Sequence, residues 1–353
     1  MSTSEECKDG ASKSNDGVCD VSDELQNMSI GVAVSTCANC GKEGDEISNV
    51  CNKCKQVRYC NAVCKKVHKK KHKKDCEELI RLATEKHNEE LRIAAELHDI
   101  ELFKQPPPLE GDCPICFLRI PVLQTGGRYT GSRYYECCGK DICSGCCHAP
   151  VYDSLGNVVD NKKCPYCRTP ETYLEKEIVK RVKKRVDACD PSAIHDTGCW
   201  YKEGLFGYPQ DYSKALEHWH RAGMLGFAKS YTNIGYAYKH GEGGVGVDEK
   251  KAKDYYELAA IQGEAQARLN LGLGEERVGN MDRALKHFMI AVRDGNCDSL
   301  KEIKKLYTLG YVTKEQFARA LRSYQEYLGE IKSRQRDEAA AANEQHRYYE
   351  SGI

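Results

Sequence analysis

Cysteine spacing constrains this chain more than any other feature of its sequence. The chain has 353 residues and 21 cysteines, of which seven lie within residues 37–76 and nine within residues 113–167. The paired Cys-x2-Cys steps, in a chain whose first residues lack the basic and apolar segments of a secretory signal, favour metal ligation over disulfide bonds. Segments this short cannot form a sufficient hydrophobic core. We therefore predict two small zinc-stabilised α+β modules.

The charge balance limits the possible partners. Lys plus Arg and Asp plus Glu number 53 each, so the net charge does not favour nucleic acid or an anionic membrane. No apolar run reaches membrane-spanning length, and we expect an intracellular protein, cytoplasmic or nuclear, that does not bind membranes. Residues 1–36 are mostly polar and charged, which predicts a disordered tail.

The first cluster supplies eight candidate ligands, enough for two tetrahedral zinc sites. A Cys-x2-Cys turn can aim both sulfurs at one ion, and ligands four residues apart share one face of a helix. In chain order the candidates are Cys37, Cys40, Cys51, Cys54, Cys60, Cys64, His72 and Cys76.

This spacing, with Tyr59 directly before the fifth ligand, resembles the MYND finger over residues 37–76. The resemblance implies two structural zinc ions held by interleaved ligand pairs and a surface that binds short proline-containing peptides. One ion would be bound by Cys37, Cys40, Cys60 and Cys64, and the other by Cys51, Cys54, His72 and Cys76.

A lysine-rich run lies between the last ligands of this cluster, with seven lysines among residues 65–74. It is compatible with a nucleic-acid patch or nuclear import signal, and also with a solvated helix face whose charge offsets the zinc thiolates. The neutral charge of the whole chain favours the second interpretation.

The second cluster resembles a RING finger over residues 113–168. The resemblance implies two further zinc ions, one bound by Cys113, Cys116, Cys143 and Cys146, and the other by Cys137, Cys138, Cys164 and Cys167. The usual histidine of the second site is replaced by Lys140, a poor ligand because lysine is protonated at neutral pH. Because Cys137 and Cys138 are adjacent, binding of both sulfurs to one ion would be strained. Cys147 or His148 is therefore an alternative ligand.

A RING acts by positioning a ubiquitin-conjugating enzyme and its linked ubiquitin, and no residue of the ligase becomes a nucleophile. By resemblance, the residues that contact the conjugating enzyme are Ile115, Pro165 and Arg168. The planar donor fork of arginine suits contact with two proteins at once. The alternative is a non-enzymatic zinc-finger scaffold for protein–protein interaction.

The C-terminal half repeats at a fixed offset, which predicts an all-α array of helical hairpins. Asp211 and Asp248 suit helix N-caps, and Gly226 and Gly263 suit the helix ends. Nine residues recur 37 positions later as identical or similar residues: Gly198, Tyr201, Gly204, Asp211, Ala215, Trp219, Ala222, Gly226 and Ala228.

These residues resemble the Sel-one-like repeat, a relative of the tetratricopeptide repeat. The resemblance predicts repeats and capping helices over residues 195–332 and a concave surface that binds partner proteins. The last residues, 333–353, are expected to fray.

Two segments connect the predicted modules. Residues 77–112 are interpreted as an amphipathic helix followed by a stiff proline-rich linker, and residues 169–194 as a connecting helix. Within the first segment, residues 106–109 read Pro-Pro-Pro-Leu. That sequence resembles the peptides that MYND fingers bind, and a plain spacer is the alternative.

Overall fold

The computed structural model describes residues 36–44, 47–104, 111–121, 124–125, 128–129, 131–152, 155, 157–159 and 162–349. These residues divide into two compact units, the first ending at Ile100 and the second beginning at Glu101. No described helix has the length and apolar composition needed to cross a membrane. The predicted tail, except for its last residue, and the Pro-Pro-Pro-Leu segment lie outside the described residues.

The first finger, residues 37–76, combines a two-stranded sheet with the start of a long helix. Strand β1 (Asn49–Val50) pairs antiparallel with β2 (Arg58–Tyr59). Helix α1 spans Ala62–Phe103, and the side chain of Asn61 accepts a hydrogen bond from the Cys64 N–H at 2.8 Å. The helix therefore begins two residues after Cys60, which lies in the preceding turn.

Helix α1 is longer than the sequence predicts. It continues without a break from residue 62 to residue 103. Within the described structure, the apolar residues of its middle part stay exposed: Leu91 is 52% exposed and Leu97 is 61% exposed. Its last turn belongs to the second unit, where Leu102 is buried and Phe103 packs on His287 with ring centroids 4.7 Å apart.

The second finger, residues 113–168, is built from short hairpins around a small cysteine-rich core. The strands are β3 (Gln124–Thr125), β4 (Arg128–Tyr129), β5 (Ser132–Tyr135), β6 (Lys140–Cys143), β7 (Val151–Tyr152) and β8 (Val158–Val159), paired in sequence order. Helix α2 (Ser144–His148) directly follows β6. Ile120, Tyr135 and Ile142 are buried among the cysteines. The finger core is therefore too small to be stable without further constraint.

A helical array follows the second finger, and the predicted fold class is confirmed. Its helices are α3 (Glu175–Asp187), α4 (Pro191–Glu203), α5 (Tyr212–Met224), α6 (Ala228–His240), α7 (Glu249–Ile261), α8 (Ala265–Arg277), α9 (Met281–Arg293), α10 (Cys297–Thr308), α11 (Lys314–Ile331) and α12 (Arg334–Ala342). The first repeat helix begins at Pro191, inside the segment interpreted as a connector. Asp190 and Pro191 supply an N-cap and a first-turn proline there.

The repeat pattern reflects capping and close helix packing. Asp211 and Asp248 cap α5 and α7 by accepting backbone hydrogen bonds, as predicted, and Gly226 and Gly263 follow these helices with positive φ. In each hairpin an aromatic ring lies so close to a glycine that a Cβ there would clash with it. The glycine and aromatic partners are Gly198 with Trp219, Gly235 with Tyr256 and Gly272 with Phe288.

In place of the frayed tail expected for residues 333–353, the described residues after Ser333 form a packed segment. Ser333 caps helix α12, and a short 3-10 helix follows at Glu344–His346. Arg336 and Tyr348 are 0% and 1% exposed. The segment is ordered because it packs against the second finger: a Cβ at Gly131 would meet Tyr348, and the Ser144 hydroxyl donates to the His346 carbonyl.

Candidate metal centres

The first finger brings its eight predicted ligands together as two groups of four. Within each group, all ligand atoms lie within 4.8 Å of one another. The groups are Cys37, Cys40, Cys60, Cys64 and Cys51, Cys54, His72, Cys76. These are the interleaved pairs that the MYND resemblance implies.

The predicted ligands of the second finger also form two interleaved groups, within the same 4.8 Å limit. The groups are Cys113, Cys116, Cys143, Cys146 and Cys137, Cys138, Cys164, Cys167. The first and third ligand pairs thus lie together, and so do the second and fourth. Each group crosses between distant chain segments, so one ion per group would tie the short hairpins to each other.

Adjacent Cys137 and Cys138 both reach the same group because the chain reverses sharply there. The N–H groups of Cys138 and Gly139 both donate to the Tyr135 carbonyl, at 3.2 and 2.8 Å, and Gly139 has a φ of 67°. The Arg185 side chain then donates to the Cys137 carbonyl at 2.8 Å. This tight turn directs two neighbouring sulfurs to one side.

The two alternative ligands lie elsewhere. The Cys147 sulfur accepts from the Tyr135 hydroxyl at 3.6 Å and lies 3.6 Å from the Ile142 carbonyl. The His148 ring meets the His346 ring edge-on, with centroids 6.1 Å apart. Neither residue joins any ligand group found among the described residues.

Sulfur separations in all four groups match zinc ligation. A tetrahedral ion with Zn–S bonds of about 2.3 Å separates its sulfurs by about 3.8 Å, whereas a disulfide brings them to about 2.05 Å. The fifteen cysteines of the four groups are all free thiols. The Sγ–Sγ distances are 3.6 Å for Cys40–Cys60, 3.8 Å for Cys51–Cys76, 3.7 Å for Cys116–Cys143, 3.8 Å for Cys138–Cys164 and 3.4 Å for Cys137–Cys167.

Four Cys-x2-Cys loops share one backbone geometry. The residue after the second cysteine donates its N–H to the carbonyl of the first, over 2.8 to 3.0 Å. That residue has a positive φ in every loop, and this left-handed turn folds both cysteine side chains toward one point. The residues are Gly41 (72°), Lys55 (57°), Phe117 (57°) and Arg168 (62°).

Hydrogen bonds within these groups lower the pKa of some ligand cysteines and raise the pKa of others, such as Cys60 and Cys143, because neighbouring thiols share their protons. The pKa of Cys37 is lowered to about 6, chiefly because the Cys60 backbone N–H donates to its sulfur, with burial opposing the shift. The pKa of Cys113 is lowered to about 4, first by a hydrogen bond from the Cys143 side chain and then, against the effect of burial, by backbone N–H groups.

His68 supports the second site of the first finger, a role that sequence spacing did not reveal. Its ring stacks on the ring of His72, with centroids 5.9 Å apart, and its Nδ1 lies 3.3 Å from the buried hydroxyl of Tyr59. Such contacts fix the orientation of a ligating imidazole. One helical turn separates His68 from His72, and that spacing is the only sequence signal for the contact.

Arg336 on α12 is a second supporting residue, and no spacing in the sequence indicates its role. Its Nη1 donates to the carbonyls of Arg119 and Ile331 at 2.8 and 2.7 Å, and its Nη2 donates to the Leu118 carbonyl at 3.2 Å. The same Nη2 lies 3.9 Å from the sulfur of Cys116. A buried guanidinium thus faces a four-cysteine group that would carry excess negative charge with zinc bound.

Gly145 allows α2 to approach α12 closely, and this contact can be tested by substitution. A Cβ at Gly145 would lie 2.8 Å from the Arg336 nitrogen and 3.0 Å from the Gln335 carbonyl carbon. Gly145→Ala is expected to destabilise the protein by about 1–3 kcal/mol through overpacking, measured by urea unfolding. As a control, Gly329→Ala meets nothing within 4 Å and should stabilise α11 slightly. Equal effects of the two variants would contradict the close contact.

The three residues expected to contact a conjugating enzyme lie on the zinc-binding loops. Ile115 is 38% exposed, Arg168 is exposed and Pro165 is half-buried. Beside them, Phe117 and Tyr166 are 75% and 48% exposed. The loops therefore present apolar side chains and one guanidinium to solvent.

Comparison with known families identifies two parts of the chain. The family model described as MYND finger matches residues 37–76. Residues 37–76 are a MYND finger. The model described as Sel1 repeat matches residues 191–227 and 228–264, which confirms the repeats predicted from the 37-residue offset. The resemblance of the second finger to a RING stays a prediction.

Two solved structures are similar to part of this chain. The Sel1 repeat protein from Oxalobacter formigenes is 28% identical, and the alignment covers 43% of this chain and 64% of that one, with a TM-score of 0.38. The antigen c5321 of uropathogenic Escherichia coli is 20% identical over 51% of this chain and 42% of its own, with a TM-score of 0.39. This chain thus spans less than two thirds of either protein. No curated protein matches it.

Proposed function

We propose that this chain is a zinc-binding adaptor whose second finger recruits a ubiquitin-conjugating enzyme, while the MYND finger and the Sel1 repeats bind partner proteins. The MYND finger and the Sel1 repeats are modules that generally mediate protein–protein interaction, and they support the adaptor part. The proposal also places the protein inside the cell, in the cytoplasm or nucleus, where thiols stay reduced.

The observation that carries the ligase part is the interleaving of the ligand pairs in the second finger. Two zinc ions bound in this way would fix the loops at Ile115 and Arg168 relative to each other. A rigid pair of loops is what a positioning mechanism requires, because catalysis comes from holding the conjugating enzyme and its ubiquitin in one geometry. The residues proposed to make this contact are Ile115, Pro165 and Arg168.

A non-enzymatic scaffold is the second candidate, and one contact favours it. Helix α12 packs closely on α2 at Gly145, so this face of the second finger is already covered by the chain itself. A finger used only to hold the C-terminal segment would need no conjugating enzyme. Autoubiquitination of the full-length chain with a panel of conjugating enzymes separates the two functions, since the scaffold predicts no product with any of them.

Arg168 provides a residue-level test of the ligase proposal. Its side chain is exposed and belongs to no ligand group, so Arg168→Ala should keep the zinc content. Discharge of ubiquitin from the conjugating enzyme should fall by about tenfold or more, as expected for a lost charge-assisted hydrogen bond. Arg168→Lys should restore little of the discharge rate, because a point charge cannot reproduce a planar donor fork.

The matched control for this test is Lys55→Ala, which changes a cation at the equivalent loop position of the MYND finger. Lys55→Ala should leave the rate of ubiquitin discharge unchanged. Cys164→Ser should lose both zinc and activity, which distinguishes collapse of the finger from loss of one contact. Equal discharge rates for Arg168→Ala and the unchanged protein would remove the main residue-level support for a ligase.

A further inference from the structure

The MYND finger carries a large surplus of positive charge. Residues 37–76 contain eleven Lys and Arg but four Asp and Glu, so the neutral charge of the whole chain conceals a local surplus. Two bound zinc ions would leave the ligand groups with about three negative charges, because one ion is shared by four thiolates and the other by three thiolates and a histidine. The basic residues therefore exceed the charge needed to offset the zinc thiolates.

This surplus is displayed on one face of α1, which we call the lysine face. It consists of Lys66, Lys69, Lys70 and Lys73. These residues follow one another at spacings of three and four, so they are neighbours on the helix surface, and all four are exposed. His72, which lies between them in sequence, is buried with its Nε2 3.3 Å from the Cys54 sulfur. The lysine face thus points away from the zinc groups.

The chain provides no partner for the lysine face. Among the described residues, no carboxylate forms an ion pair with it, although Asp75 and Glu77 lie nearby on the same helix. Further along α1 the arginines are paired: Arg81 lies 2.6 Å from both Glu78 and Glu85. Like charges at a spacing of four residues destabilise a helix. An anion that binds the lysine face would relieve this repulsion.

The side chains of this region favour phosphate over a carboxylate or a lipid surface. The lysine face contains no arginine, whose fork suits carboxylates, whereas lysine binds phosphate as a point charge. A helix that lies in a membrane surface needs a broad apolar face. The other side of α1 carries zinc ligands here, and beside the lysines the described structure exposes Val63 and Val67. Nucleic acid, a regular row of phosphates, matches this surface best.

We propose that the lysine face binds the phosphate backbone of duplex DNA without reading its sequence. Together with the exposed Lys74, its side chains cover about 140° of the helix surface, at about 100° per residue. This arc can reach phosphates on both sides of the DNA major groove, which is about 12 Å wide and admits an α-helix. The major groove of duplex RNA is too narrow for such an approach. Contacts to phosphates position a protein but carry no sequence information.

The test is a fluorescence anisotropy titration of a labelled DNA duplex with the full-length, zinc-loaded chain at several salt concentrations. If each lysine of the face contacts one phosphate, log K should fall against log salt with a slope of about −3.6. The association constant should then fall about 150-fold between about 50 and about 200 mM salt. Two duplexes of unrelated sequence should bind equally, because their phosphates are the same.

Substitutions locate the contacts. Lys66→Gln and Lys70→Gln should each weaken binding and reduce the salt slope by about 0.9, since each removes one phosphate contact. Lys86→Gln is the matched control, because Lys86 is an exposed cation on the same helix that pairs with Glu90 at 3.7 Å. The Lys86→Gln variant should keep both the affinity and the salt slope.

Two variants change the whole lysine face. With all four lysines replaced by Gln, the salt-dependent binding should be lost, while zinc content and the helical circular dichroism signal stay unchanged because the side chains are exposed. With all four replaced by Arg, which keeps the charge, binding should persist.

Three results would overturn the proposal. The first is an absence of binding at about 50 mM salt, and the second is an unchanged salt slope when all four lysines are replaced by Gln. The third is an affinity for duplex RNA, for a glutamate-rich peptide or for anionic lipid vesicles as high as that for DNA, because the lysine face would then not distinguish the DNA backbone from other anions.

Discussion

Zinc chelation is expected to unfold both fingers while the repeat helices keep their secondary structure. Each of the four ligand groups can hold one tetrahedral ion, and a structural zinc contributes on the order of 10–16 kcal/mol of binding free energy that is also folding free energy. The finger cores are too small to replace it. The repeats bury their own aromatic and aliphatic residues and need no metal.

The measurement is elemental analysis followed by chelation under circular dichroism and hydrogen exchange. We expect four zinc ions per chain before chelation, and faster exchange within residues 37–76 and 113–168 after it. Exchange in α5 to α9 should stay slow. A content of two ions would show that the second finger does not bind zinc as a RING does.

Single cysteine variants test which residues bind zinc in the group that contains Cys137, Cys138, Cys164 and Cys167. Cys138→Ser should lose one ion, because its sulfur belongs to the group with Cys164. Cys147→Ser should keep all four, since the Cys147 sulfur contacts the Tyr135 hydroxyl and the Ile142 carbonyl and belongs to no ligand group among the described residues. If Cys147→Ser loses zinc and Cys138→Ser does not, the ligand assignment is wrong.

Arg336→Met should strongly destabilise the second finger, because Arg336 is fully buried against it. The variant leaves the carbonyls of Arg119 and Ile331 without the Arg336 donor and removes the cation beside Cys116. The Leu118 carbonyl loses one donor and keeps the Cys113 N–H. Breaking a buried charged network by removing one partner costs about 3–5 kcal/mol. Urea unfolding should show this loss, and zinc should leave the second finger faster in the presence of a chelator.

The control for Arg336 lies on the same helix. Arg334 has a side chain that is 92% exposed and, among the described residues, pairs with Glu338 on the surface, so Arg334→Met should change stability by about 0.5 kcal/mol or less. Arg336→Lys should recover part of the loss, because an ammonium can reach some of the carbonyls but lacks the fork geometry. Similar effects of Arg336→Met and Arg334→Met would mean that the buried guanidinium does not support the finger.

The features that sequence alone determined are those with local causes. Zinc ligands must lie at turn or helix spacing to reach one ion, so the four Cys-x2-Cys loops and the His72 and Cys76 pair could be recognised by counting residues. Helix caps are equally local, and the sequence alone indicates Asp211 and Asp248 as the residues whose side chains accept the capping hydrogen bonds. The 37-residue offset implied stacked hairpins because one hairpin cannot bury its apolar face alone.

The features that only the tertiary structure decided join residues far apart in the chain. Arg336 and Arg119 are separated by 217 positions, and no spacing rule relates them. The polar composition of residues 333–353 indicated fraying, but a few buried contacts outweigh composition when a partner surface is present. Cys138 and not Cys147 lies in the group with Cys164 because of the turn at Gly139. Such outcomes follow from packing between segments, which a one-dimensional pattern does not encode.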